Sequence, residues 1–150
     1  MNKDKQFKER DIMAWGECER NFIRKVEIDL ERVTSIKKKA LQRLQRARNT
    51  EVNFENISFV VEDYYEVIKE LLVAYLLNNG MRSKNHQCLI SYFYKQNPDF
   101  EREVVLISQM SFFRNRLTYY GDDIPMEFYE THKDDFEDII KLILRILDEK

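Results

Sequence analysis

Glycine and proline are scarce in this chain, with three and two copies among 150 residues. That scarcity excludes a many-stranded sandwich or barrel, which needs turn residues roughly every 8–12 positions. Cysteine is as rare as proline, and the two present, Cys18 and Cys88, show no CxxC or Cys/His ligand spacing. They therefore read as small apolar core residues of a reduced, intracellular protein, neither nucleophiles nor a disulfide framework. No run of about 18 apolar residues occurs, and the first residues, MNKDKQFKERD, lack an apolar targeting stretch. A soluble, cytoplasmic protein is expected. P-loop, Rossmann, zinc-ligand and serine–histidine–acid patterns are all missing, so no cofactor and no metal are expected. The acidic pairs Asp122-Asp123 and Asp134-Asp135 read as helix-start and turn residues.

No charge of one sign dominates either, since 25 basic residues face 27 acidic ones. Their distribution is uneven. Residues 24–48 carry Arg24, Lys25, Arg32, Lys37, Lys38, Lys39, Arg43, Arg46 and Arg48 against Glu27, Asp29 and Glu31. The last third is acidic. The basic stretch reads either as a solvated helix face or as a surface for polyanions.

What the chain does have is long apolar periodicity in steps of three and four. One or two helices are expected from Asp4 to Arg48, with a break near Glu27–Asp29. A clearer one covers 58–79, with Val60, Tyr64, Val67, Ile68, Leu71, Leu72, Tyr75 and Leu76 on one side, stopped by Asn79-Gly80. Ser83-Lys84-Asn85-His86 leads into a short helix ending before Asn97-Pro98. Asp99 is placed to cap the next helix, which stops near Gly121. A last helix covers 126–147. The expected fold is all-α, an antiparallel up-and-down bundle of four to five helices without a sheet. It forms one domain over residues 1–150, with residues 1–50 a basic helical arm packed on the bundle.

Polar chemistry concentrates in Phe113-Arg114-Asn115-Arg116-Leu117-Thr118-Tyr119-Tyr120-Gly121. Two guanidinium groups, an amide and two phenols within about two helical turns suit phosphate recognition. The plainer alternative is that Arg114 and Arg116 complement the negative end of a helix, with Tyr119 and Tyr120 packing beside them. His86, opening a short helix, reads as a capping or turn residue, and His132 as solvated.

The same stretch resembles the arginine–asparagine motif of the HEPN superfamily, small helical domains of prokaryotic toxin–antitoxin pairs and their relatives. The segment VEDYYEVIKELLVAYLLNNGMRSKNHQCLISYF resembles the middle of such domains, and the order of matches holds from about Phe54 to Lys150. The resemblance implies a homodimer that binds RNA or a nucleotide through Arg114, Asn115, Arg116 and Tyr120. In catalytic members an arginine and a histidine from two protomers meet and cleave RNA without metal. Here Arg114 and Tyr119 fall at the catalytic positions, and Tyr119 replaces the histidine. A phenol titrating near 10 is a poor base at neutral pH, so the resemblance implies a weak or inactive ribonuclease. It equally implies a second role, as the non-catalytic partner of a small nucleotidyltransferase or an antitoxin.

Overall fold

The computed structural model describes residues 12–149. Among them the chain forms six helices and one two-stranded sheet. The helices are α1 (Trp15–Asn21), α2 (Leu30–Asn49), α3 (Ile57–Asn78), α4 (His86–Gln96), α5 (Glu101–Tyr120) and α6 (Met126–Asp148). Strands β1 (Ile23–Lys25) and β2 (Met81–Ser83) pair antiparallel, with Arg24 opposite Arg82.

The strands correct the expectation of a sheet-free fold and of nearly continuous helix from Asp4 to Arg48; residues 4–11 of that span lie outside the described ones. Nothing local stops a helix after Asn21. What extends the chain there is a non-local ladder, which Val26 continues by donating its N–H to the Gly80 carbonyl at 2.9 Å. Gly80 sits at φ +75°, and a Cβ on it would meet the Val26 oxygen at 3.3 Å. It thus closes α3 and admits the strand, a position only glycine fills without strain. Asp29 then restarts helix, its carboxylate accepting from Arg32 N–H at 3.1 Å. Asn85 starts α4 in the same way, accepting from Gln87 N–H at 2.8 Å, so the cap expected of His86 belongs to its neighbour. Asp99 caps nothing; it lies inside a 3-10 turn, Pro98–Phe100, that runs straight into α5.

The two cysteines are bonded to each other. Cys18 on α1 and Cys88 on α4 are fully buried, their Cα atoms 5.6 Å apart, in a disulfide across 70 residues of sequence. This overturns the expectation of reduced cysteines. Their wide spacing hides a contact that arises only once β1 pairs with β2 and lays α1 on α4, where Trp15 meets Tyr92 at 5.0 Å between ring centroids.

α3 is the central element and touches α2, α4, α5 and α6. Its apolar positions cover most of its circumference, with Val61, Val67, Ile68, Leu71 and Ala74 fully buried. Helices apolar nearly all round are core helices. Phe93 of α4 and Phe136 of α6 fill the space on either side.

A charged tie binds three helices at one level. Arg48 of α2 donates three hydrogen bonds, from Nε and Nη2, to Glu137 of α6, and the Tyr64 hydroxyl of α3 donates to the same carboxylate at 3.1 Å. Arg48's hydrogen bonds hold the Glu137 carboxyl below its usual range, while burial beside that carboxylate pushes the Tyr64 phenol well up. A carboxyl depressed in the folded state contributes stability above its unfolded value and loses it as pH falls through the folded one. Melting temperature should therefore drop as pH is lowered from about 5, and Glu137→Gln should both lower it at neutral pH and flatten that acid slope. An unchanged acid slope in Glu137→Gln would assign the loss to other carboxylates.

Candidate functional site

Because α3 is buried on nearly all sides, it shows solvent only a narrow strip: Phe59, Glu62, Asp63, Glu66, Lys69, Glu70, Val73 and Asn78. Positions 59, 62, 66, 69 and 73 recur in steps of three and four, so the strip is one helix face. It is charged, and flanking helices answer it. On the α2 side, Arg43 Nε donates to Glu70 at 2.9 Å and Arg46 reaches Asp63 at 2.7 Å. On the α5 side, Arg114 lies 3.3 Å from Glu66, which also holds Lys69 at 2.6 Å.

These pairs account for part of the basic stretch 24–48. Of its nine cations, Lys37, Arg43, Arg46 and Arg48 bind carboxylates of α3 or α6, Lys37 reaching Asp148 at 2.6 Å. Much of the charge that reads as a polyanion footprint is the intramolecular complement of acidic α3 and α6. Between α2 and α3 lies a groove of about 580 Å³, lined by Lys39, Gln42 and the paired Arg43 and Arg46 above Glu70 and Val73.

The Arg114 end is chemically the more unusual. Three helices converge there: Glu66 and Lys69 from α3, His86 from the start of α4, and Arg114 from α5. The Nε of Arg114 and the Oε2 of Glu70, one helical turn from Glu66, are buried without a hydrogen-bond partner among the described residues. Such groups cost free energy in a core and recur at functional sites. Asn115 Oδ1 stands 3.5 Å from Arg114 Nη1. His86 is exposed as a residue, yet loss of water around its ring, then the charges of Lys69 and Arg114, push its pKa below the usual histidine value; Glu66 opposes them. Its imidazole is therefore neutral at pH 7 and able to accept a proton. Behind this group Gln87 donates to Ser111 at 2.9 Å, fixing α4 against α5.

The sequence-derived cluster separates in space. Arg114 turns inward to α3. Arg116, two positions on, turns away: it pairs with Asp122 at 2.6 Å and lies 4.4 Å over the Tyr120 ring. Arg116 and Tyr120 thus form a helix-end arrangement with the turn after Gly121. Tyr119 is 72 % exposed; five positions of helix put it about 140° around the axis from Arg114, so the two proposed catalytic residues do not face one another within a protomer. His132 is not simply solvated, since its Nδ1 lies 3.0 Å from Asp135.

Glu66, Lys69 and Glu70 escaped the sequence reading because they fall on what looks like the solvated side of an amphipathic helix. The available signal was Asp63, Glu66 and Glu70 on one face beside a helix rich in arginine, a pattern that calls for pairing. Comparison of the chain with protein-family models, with curated proteins and with solved structures gave no match.

Proposed function

We propose that this chain is a HEPN-like helical domain that binds a phosphate-bearing ligand, RNA or a nucleotide, at Arg114. The observation that carries the reading is the convergence of Arg114, Lys69 and a neutral His86 around Glu66, with the Arg114 Nε unpartnered. A phosphate entering there exchanges one anion, Glu66, for another, and finds a guanidinium, an ammonium and an imidazole at hand. Asn115 is the adjoining polar contact. Arg116 and Tyr120, committed to one another and to Asp122, contribute to the helix end. In this reading any proton transfer falls to His86, since the Tyr119 phenol is remote from Arg114 in its own protomer. The wild-type protein is mainly a binder.

The same proposal takes α2, α3, α5 and α6 as an antiparallel up-and-down bundle. Its support is that contacts between successive long helices run in opposite order: Arg46 meets Asp63 while Arg43 meets Glu70. A cytoplasmic location loses the support of unpaired cysteines; what stands is that no helix among the described residues is long and apolar enough to cross a membrane.

Binding of a labelled RNA oligonucleotide and of mononucleotides, followed by fluorescence anisotropy, tests the site. Arg114→Ala should weaken binding by about 1–3 kcal/mol, the scale of a charge-assisted hydrogen bond, and Arg116→Ala should leave it unchanged. Glu66→Gln, which frees Arg114 and Lys69 from their carboxylate, should strengthen it. Affinity indifferent to both Arg114→Ala and Glu66→Gln would make the cluster an interhelical tie only.

A second reading, a protein-interaction module, rests on a different observation. Phe112, Tyr119 and Tyr120 are 41 %, 72 % and 69 % exposed along the end of α5, and Phe112 and Tyr119 share one face. A second copy, or a nucleotidyltransferase or antitoxin chain, would cover these rings. Light scattering on Tyr119→Ser with Phe112→Ser should then show loss of self-association or of complex formation.

A further inference from the structure

Between the first half of α5 and the middle of α6 lies a cleft of about 320 Å³. Its floor is apolar, made by Val105, Leu106 and Ile139. Its walls carry three carboxylates, Glu103, Asp135 and Asp138, against the guanidinium of Arg102 and the ring of His132, whose Nδ1 lies 3.0 Å from Asp135. The cleft is lined over two turns of each helix, residues 102–109 and 132–139, a length of about 10 Å. α6 adds the exposed carboxylates of Glu130 and Asp134 on the turns around it.

We infer that this cleft is a docking groove for a short, basic amphipathic helix of another protein. It is a second surface, separate from the rings at the end of α5 that carry the protein-interaction reading above. Two walls of helix with an apolar floor receive apolar side chains spaced at three or four positions, the pattern of helix-in-groove recognition. A volume of this size takes one or two large side chains such as leucine or phenylalanine. Lysine or arginine flanking those anchors meets Glu103, Asp135 and Asp138, and the excess of carboxylates steers a cationic segment while repelling an acidic one or a nucleic acid. RNA therefore has its place at Arg114 and is excluded from this cleft.

The probe is a synthetic peptide with leucine at every third or fourth position and lysine elsewhere, set against the same peptide with glutamate in place of lysine. Calorimetric titration of the full chain should show binding of the lysine peptide and none of the glutamate peptide. Asp135→Asn combined with Asp138→Asn should weaken it about tenfold or more, and Val105→Arg, which puts a long cation over the apolar floor, should abolish it. Circular dichroism of both variants should match the wild type, and Tyr119→Ser should bind as the wild type does. Equal binding of the two peptides, or binding indifferent to the Asp135, Asp138 and Val105 substitutions, overturns the groove. Peptide binding lost in Tyr119→Ser instead moves the partner to the end of α5, which keeps the interaction reading and defeats this one. Self-association of the unliganded chain abolished by Val105→Arg would make a second copy the occupant, and the proposal would fail.

Discussion

Reduction of the Cys18–Cys88 bond is expected to lower the melting temperature by about 10 °C. A cross-link spanning 70 residues removes loop entropy from the unfolded chain worth about 4 kcal/mol, and for a domain of this size each kcal/mol moves the midpoint by about 2–4 °C. The loss should begin locally. α1 has seven residues and, among the described residues, touches mainly α4 and β1, so amide exchange over residues 15–25 should rise before that of α3. Because both cysteines are buried, a reductant reaches them only through opening of this segment. The pair Cys18→Ala with Cys88→Ala gives the same readout without that kinetic barrier. A midpoint unmoved in the double variant, with no free thiol detected in the wild type, would show that the cross-link constrains nothing.

Phe136→Ala should cost about 3–5 kcal/mol, the range for truncating a buried aromatic ring. Phe136 is fully buried and stands 5.7 Å from Tyr64 and 5.8 Å from Phe128, whose ring meets Phe113 at 4.6 Å. That ladder of rings holds α6 on α3 and α5, and Glu137 of the Arg48–Tyr64 tie is the next residue. Removing the ring should therefore loosen both at once. Phe136→Leu keeps most of the volume and should cost about 1.5 kcal/mol or less. Denaturant unfolding of the two variants separates them, and equal midpoints would mean that the site collapses around the smaller side chain.

Helix content and most helix ends were legible in the residues. The apolar repeat from Val60 to Leu76 and the stops at Gly80 and Gly121 are local signals, and the structure places α3, α5 and α6 within about one residue of where periodicity puts them. Legibility fails where a distant segment decides. Residues 22–26 carry no breaker, and become a strand only because residues 80–83 offer a ladder. The disulfide follows from that pairing, so the wide spacing of its cysteines misled.

The candidate site divides along the same line. That Arg114 turns toward α3 while Arg116 turns away could not be read from RNRLTYYG, in which both arginines look alike. Two positions of helix turn them about 160° apart, and only the packing of α5 on α3 sends Arg114 to Glu66 and leaves Arg116 to Asp122. The chain alone determined a helical protein with an inward apolar face on each long helix, because hydrophobic periodicity is a property of near neighbours. Tertiary structure decided which charges meet, since ion pairs such as Arg48–Glu137 and Arg43–Glu70 join residues that no local pattern connects. It thereby paired four of the nine cations of a basic stretch with carboxylates of α3 and α6.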